Sequence, residues 1–283
     1  MKASQCIQVL THHLPEIAIN PIVPITEGWD FYVLDVDDRW IFRFPRRREG
    51  LQQLEREIRF LDRIKKNLPV SIPHYQWNFP DAELPFAGYA KLQGEALTPR
   101  HGLKYPSVME QIGTFLAVLH QYPISVQPNV LRQTWKKQME NIWVQVENKV
   151  LPKMEPSLAQ QIQSYWTQYA QHLLHFQPAW IHGDLSLNHI LTVGPDLTGI
   201  IDWGDVQIGD PALDFAGIAS VWDKKQLQPL LRTYSIFRED NWWERITFYR
   251  RLSPFYGLLS ALETHDRDRW KRSWKNLMKE WFS

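Results

Sequence analysis

The segment Trp180-Ile181-His182-Gly183-Asp184-Leu185-Ser186-Leu187-Asn188-His189-Ile190-Leu191 is followed by Ile200-Ile201-Asp202-Trp203-Gly204-Asp205. Two carboxylates in that order are what phosphoryl transfer requires. One orients an attacking hydroxyl and takes its proton; the other holds magnesium against the oxygens of a triphosphate. Asp184 fits the first role and Asp202 the second. Either motif alone also reads as ordinary strand-to-turn punctuation, and it is the ordered pair that carries the signal.

Such residues act only if the backbone places them. Trp180 to His182 reads as a short strand with Asp184 on the turn behind it, and His189 to Val193 as the next strand. Gly194-Pro195-Asp196 marks a tight turn, and Leu197 to Trp203 returns as the partner strand. The spacing predicts a hairpin with Asp184 at its entrance and Asp202 at its exit. Further upstream, Cys6 to Leu14 suggests a short helix that Pro15 stops or bends. Phe31 to Val36, the turn Asp37-Asp38 and Arg39 to Phe44 read as a strand pair. Side chains alternate along a strand, so Ile41 and Arg43 share a face. Leu51, Leu54, Ile58, Leu61 and Ile64 recur at helical spacing, and Phe86 to Leu92 reads as another strand.

Beyond Gln93-Gly94-Glu95 the pattern turns helical. Ser107 with Glu110 has the form of a capping box, ahead of an apolar face at Val108, Ile112, Phe115 and Leu119. A second face runs through Leu131, Trp135, Met139, Ile142 and Val146. A third runs through Leu158, Ile162, Tyr165, Tyr169 and Leu173, after Pro156 at a first helical position. These helices read as scaffold, and His120 as a capping or packing histidine rather than a base.

The catalytic loop, the Ile-Asp-Trp-Gly-Asp segment and Gly209-Asp210-Pro211-Ala212-Leu213-Asp214-Phe215 resemble the antibiotic phosphotransferases, the aminoglycoside and macrolide kinases of protein-kinase-like fold. The match is specific over about residues 180 to 216 and weaker from about 25 to 95. The resemblance implies an α+β fold of two lobes: an N-lobe antiparallel sheet with a packed helix over 1–92, and a mainly helical C-lobe over 93–283. It implies magnesium, and ATP or GTP as phosphate donor. His189 stands where the protein-kinase template has Asn as a second magnesium ligand, a departure that resembles the macrolide kinases; His189 and Asp202 are the implied metal ligands. Arg43 stands where protein kinases have Lys, which keeps the charge but replaces a compact ammonium with a planar fork. Glu57 would hold that cation, with Glu55 a near competitor. Ile41 would lie against the nucleotide base. Backbone near Ala90 to Leu92 would bond its edge, a contact that accepts ATP or GTP alike. His182, Asp210 and Asp214 are implied as structural residues of the loop.

An acceptor site is less marked. Asp205, Trp222, Glu239 and Asp240 are its candidates, drawn from a segment that mixes aromatics (Trp242, Trp243, Phe248, Tyr249, Tyr256) with acids. A polycationic aminoglycoside wants many carboxylates, whereas a macrolide wants apolar walls with one or two; the aromatics favour the second. A kinase of another metabolite and a catalytically silent nucleotide-binding protein on the same fold remain open. A metal-dependent phosphoesterase using His182, Asp184, Asp202 and His189 would not need the Arg43–Glu57 pair. A protein kinase fits least, since no Ala-Pro-Glu sequence follows Asp202.

Composition agrees with a soluble enzyme. Basic residues number 32 against 31 acidic, a net charge of +1, so no global charge favours nucleic acid or an anionic membrane. The dense run Arg46-Arg47-Arg48 reads as a solvated loop or as an attractor of nucleotide phosphates. Cys6 is the only cysteine, so no intrachain disulfide forms. No charged segment leads into an apolar, cleavable stretch, and no run approaches the roughly 20 apolar residues of a membrane span. The expectation is a cytoplasmic protein whose partners are a nucleotide and a small hydroxylated substrate. Most of the 14 tryptophans are expected in the core.

Overall fold

The computed structural model describes residues 2–17, 21–25, 30–170, 175–236 and 241–282. In chain order it runs through helix α1 (Ala3–His13), strands β1 (Ile22–Ile25), β2 (Phe31–Val36) and β3 (Trp40–Pro45), and helix α2 (Arg48–Ile64). Strands β4 (Tyr75–Phe79), β5 (Phe86–Ala90) and β6 (Glu95–Ala96) follow, then helices α3 (Pro99–Lys104), α4 (Pro106–His120), α5 (Pro128–Lys149) and α6 (Pro156–Ala170). The chain continues through strands β7 (Ala179–Ile181), β8 (Ile190–Val193), β9 (Asp196–Ile200) and β10 (Gln207–Gly209). It closes with helices α7 (Leu213–Ala219), α8 (Gln228–Thr233), α9 (Trp242–Thr264) and α10 (Arg267–Phe282).

By compactness the chain divides into two units, one of residues 1–115 with 188–206 and one of 116–187 with 207–283. This differs from a single cut after residue 92. The hairpin β8–β9 belongs with the N-terminal unit, in a second, three-stranded sheet where Glu95 and Ala96 of β6 pair with Thr192 and Leu191 of β8. In addition, the Ile200 N–H donates to the Ser71 carbonyl at 3.0 Å.

In the first unit, five antiparallel strands lie in the order β1-β2-β3-β5-β4. Asp37 and Asp38 join β2 to β3 with φ of 58° and 52°, the left-handed pair that a tight hairpin turn demands. Alternation along β3 then sorts its side chains. Phe42 and Phe44 pack with Leu34, Val36, Phe86 and the α1 residues Cys6, Val9 and Leu10. Ile41 and Arg43 take the other face, where α2 lies and Leu54 packs on Phe31 and Ala87. Burial inside the α1 layer pushes the Cys6 thiol up to about 11, so it stays a neutral, apolar filler.

Ser107, expected to open a capping box with Glu110, lies within helix α4. Helix α4 starts at Pro106, which suits a first helical position, so Ser107 falls inside the first turn. The Ser107 hydroxyl donates to the Pro195 carbonyl at 3.1 Å. The Gln111 amide donates to the same carbonyl at 3.0 Å and accepts from Leu197 N–H at 3.0 Å. These three bonds fasten the β8–β9 turn instead of capping the helix.

The second unit is helical around one short antiparallel pair, β7 with β10, in which Ile208 faces Trp180. Its core is aromatic. Trp143 on α5 stacks on Trp166 of α6 with centroids 4.6 Å apart, and Tyr169 stacks on Phe248 of α9 at 4.0 Å. Trp143, rather than the expected Ile142, completes the buried stripe of α5 with Trp135, Met139 and Val146. On α6, Leu158, Ile162, Trp166 and Tyr169 are buried, and Leu173 lies outside the described residues.

Candidate active site

In the first unit the side chains meet around Arg43. The guanidinium is only 5% exposed and Glu57 is fully buried. A buried cation needs a paired anion with good geometry, and the Arg43 Nη1 donates to both Glu57 carboxylate oxygens at 2.7 Å. Helix α2 therefore supplies Glu57; Glu55 is a surface residue paired with Arg59 at 3.7 Å. The Tyr75 hydroxyl of β4 joins the pair, donating to Glu57 Oε1 at 2.8 Å and accepting from Arg43 Nη1 at 2.9 Å. The Phe31 ring lies 4.1 Å from the guanidinium carbon. Burial alone would pull the Arg43 pKa down, but the facing charges of Glu57 and Asp202 hold it well above its ordinary value. Burial pushes the Glu57 carboxyl up, and the Arg43 charge opposes that shift.

The other end of the fork reaches the Ile-Asp-Trp-Gly segment. Arg43 Nη2 donates to Asp202 Oδ1 at 3.2 Å, and His189 Nε2 stands 3.6 Å from Asp202 Oδ2. Backbone bonding sets this up, since the Ile201 N–H donates to the His189 carbonyl at 2.9 Å. Asp202 adopts φ 62°, left-handed backbone that a non-glycine residue rarely takes. Trp203 is the wedge that holds it there. Its ring is fully buried between Phe60 of α2 and Phe115 of α4, at 6.1 and 6.0 Å, and its indole N–H donates to the Ile200 carbonyl at 3.0 Å. The Asp202 side chain remains 48% exposed.

Magnesium takes one or two carboxylates and completes its shell with water and phosphate oxygens. Asp202 with His189 beside it fits that demand. Among the described residues no group of three or more His, Cys, Asp or Glu is set to enclose a metal.

Ile41 is buried on the Arg43 face, opposite Tyr89. Strand β5 ends at Ala90, paired with Trp40, and Leu92 lies where a Cβ on Gly199 would come within 3.0 Å of it. Lys91, which the sequence did not mark, ties this exit to the β2–β3 turn through Asp35 at 2.6 Å and Asp38 at 2.5 Å.

In the second unit the loop that carries Asp184 is held by a buried carboxylate. Asp214, at the start of α7, accepts from His182 N–H at 2.8 Å and Gly183 N–H at 2.9 Å. His120 stands 3.0 Å from the same carboxylate and 2.8 Å from the Tyr234 hydroxyl, itself fully buried. Gly183 has φ 89°, which glycine adopts without steric cost, and the Asp184 N–H then turns back to His182 Nδ1 at 3.3 Å. The Asp184 side chain is exposed. Asp210 is a buried brace, accepting from Arg245 Nε and the Tyr249 hydroxyl at 3.0 Å each and from Ala212 N–H at 2.9 Å.

The acceptor candidates fare differently. Asp205 is exposed. Trp222 is 2% exposed, so burial of its large ring makes it core rather than a wall for substrate. Glu239 and Asp240 lie outside the described residues. Trp242, Phe248 and Tyr249 are likewise buried, whereas Tyr256 is 42% exposed.

A helix that lends a buried carboxylate to a strand cation, in a unit that also holds an Asp-bearing hairpin, defines a protein-kinase-like phosphotransferase. The profile of the phosphotransferase enzyme family matches residues 21–249. Over 262 residues the chain is 26% identical to YcbJ of Bacillus subtilis (strain 168), an uncharacterized protein, covering 80% of this chain and 77% of that one. The structure superposes on the GDP and kanamycin complex of APH(2")-IIia with a TM-score of 0.85 at 25% identity, covering 98% of both chains. The macrolide 2'-phosphotransferase MphH from Brachybacterium faecium shares the fold, with a TM-score of 0.72, 18% identity and 99% of both chains covered. The chain belongs to the phosphotransferase enzyme family. It is a kinase-like enzyme that takes an alcohol group as acceptor.

Proposed function

We propose that this enzyme transfers the terminal phosphate of ATP or GTP to a hydroxyl group of an antibiotic-like small molecule, with an aminoglycoside-type acceptor ahead of a macrolide. The observation that carries the reading is the buried Arg43 fork, held by Glu57 at 2.7 Å and reaching Asp202 at 3.2 Å. A phosphoesterase does not need a cation so placed. Asp184 accepts the proton of the attacking hydroxyl as its oxygen bonds to phosphorus and the bond to the leaving diphosphate breaks. Arg43, positioned by Glu57, offsets phosphate charge. Asp202 and His189 would hold magnesium, which would supply positive charge against the oxygens of the transferred phosphate. Ile41 and the backbone at Ala90 and Leu92 receive the base.

Two observations favour the aminoglycoside side. The likeness to an enzyme solved with kanamycin is greater than that to the macrolide enzyme. Trp222 and Trp242, which suggested an apolar substrate wall, are spent in the core. GDP in the same relative supports GTP as a donor to be tried beside ATP. The test is phosphate transfer from magnesium-ATP and magnesium-GTP, separately, across aminoglycosides, macrolides and simple hydroxylated metabolites, read by product mass. A product heavier by one phosphate is expected with an aminoglycoside; a product with metabolites alone would replace the acceptor class. Absence of both product and nucleotide binding would overturn the kinase reading.

A further inference from the structure

The Arg43–Glu57 contact has an unusual geometry. An arginine and a carboxylate commonly meet as two parallel bonds from two nitrogens, which fixes the guanidinium plane. Here both Glu57 oxygens converge on the single nitrogen Nη1, at 2.7 Å each. Contact through one nitrogen is a pivot and leaves the plane free to swing. Yet Nη2 must point to Asp202 for the fork to serve both ends. The second constraint on Nη1 is the Tyr75 hydroxyl, 2.9 Å away and itself bonded to Glu57 Oε1 at 2.8 Å. One N–H directed between the carboxylate oxygens and the other at Tyr75 leaves the plane a single orientation. The Tyr75 ring is fixed in turn, packed edge-on against Tyr89 with centroids 5.1 Å apart at 77°.

We propose that Tyr75 is a positioning residue for nucleotide binding: its hydroxyl locks the Arg43 fork so that Nη2 faces Asp202. The proposal rests on the kinase reading above, and the experiment separates the two. Magnesium-ATP and magnesium-GTP are titrated calorimetrically into the wild type, Tyr75→Phe, Arg43→Lys and the double variant, with a melting curve for each. Phenylalanine keeps the ring and its contact with Tyr89 while removing the hydroxyl. Tyr75→Phe is expected to weaken magnesium-nucleotide binding about tenfold, the scale of one hydrogen bond to a charged group. In the Arg43→Lys background, which has no fork to lock, the same change is expected to add nothing, so the two effects do not multiply.

A pH series gives a second readout that a packing role would not move. The charged and titratable groups facing Glu57 are Arg43 of β3, Tyr75 of β4, Tyr89 of β5 and Asp202 behind β9. Burial lifts the Glu57 carboxyl, and the bonds from Arg43 and Tyr75 pull it back. Without the hydroxyl, Glu57 takes a proton at higher pH and releases Arg43, so binding is expected to fall off on acidification sooner in Tyr75→Phe than in the wild type. Equal affinity in Tyr75→Phe, or penalties that multiply in the double variant, would overturn the proposal. Loss of a cooperative melt in Tyr75→Phe would overturn it too, because the hydroxyl would then serve the fold. Absence of binding in the wild type would instead remove the kinase reading beneath it.

Discussion

At the scale of single residues, Asp202 combines an exposed carboxylate with a strained backbone, and its replacement has to respect both. Alanine at φ 62° adds a backbone penalty to the loss of charge. Asparagine tolerates the left-handed region and removes only the charge. Asp202→Asn is therefore expected to weaken magnesium-dependent nucleotide binding by at least about tenfold, since even outer-shell partners of a metal are worth about 10–100-fold, with little change in melting temperature. Titration of nucleotide with and without magnesium reads this out, and undiminished binding would remove Asp202 from the metal. Asp184→Asn should do the reverse: turnover falls by about 10²–10⁴-fold, the range for a positioned base, while nucleotide affinity stays. Arg43 was legible because strand alternation put it on one face with Ile41, and Glu57 because the resemblance to the kinase fold implied a helix carboxylate for that cation. Tyr75 was not, because nothing in β4 marks a hydroxyl whose partners sit 18 and 32 positions away.

At the scale of elements, the loop that carries Asp184 depends on how closely α7 can approach it. A Cβ on Gly217 would collide with the Leu185 carbonyl, which is backbone and cannot swing aside. Gly217→Ala is expected to cost about 1–3 kcal/mol, as overpacking does, and to displace the loop that Asp214 pins. Denaturant melts and turnover test it; a variant equal to wild type in both would mean the loop yields without consequence. Helix ends carry a pH dependence of their own. Asp266 accepts from the Arg269 and Asp268 N–H groups ahead of α10, at 2.9 and 3.1 Å. The bond from the Arg269 backbone leads in holding its pKa below the ordinary value. A lowered folded pKa means stabilisation that is full above the ordinary Asp value of about 3.9 and lost as pH falls through the lowered one. Asp266→Asn keeps a capping oxygen without the charge, so its melting temperature should fall less steeply than that of the wild type below about pH 4. Equal slopes would show that the cap does not titrate. The capping box expected at Ser107 failed because a local pattern cannot foresee the carbonyl of Pro195, 88 residues on.

At the scale of the molecule, the sheet-bearing unit is discontinuous, and that sets where the chain can be cut. Strands β2, β3 and β5, the β8–β9 hairpin and helices α1, α2, α4, α5 and α6 were legible from periodicity and turn chemistry, whereas β1, β4, β6 and β10 were not; nor was membership in units, because it depends on pairings between segments distant in sequence. Strand β6 finds its partner in β8, and Phe60 of α2 and Phe115 of α4 close around Trp203. A fragment ending at 92 lacks β6, the hairpin and Trp203 alike. A fragment ending at 115 keeps the walls of the Trp203 site and loses the ring that fills it. Emptying a site built for a buried large aromatic costs about 3–5 kcal/mol, and a whole domain holds only about 5–15 kcal/mol. Loss of the β8 pairing and of the bonds that Ser107 and Gln111 make to the turn adds to that deficit. Fragments 1–92 and 1–115 are therefore expected to show no cooperative thermal transition by circular dichroism, whereas 1–115 joined through a short flexible linker to 188–206 regains one. Cooperative melting of 1–115 alone would show that the hairpin is carried by this unit without being part of what stabilises it.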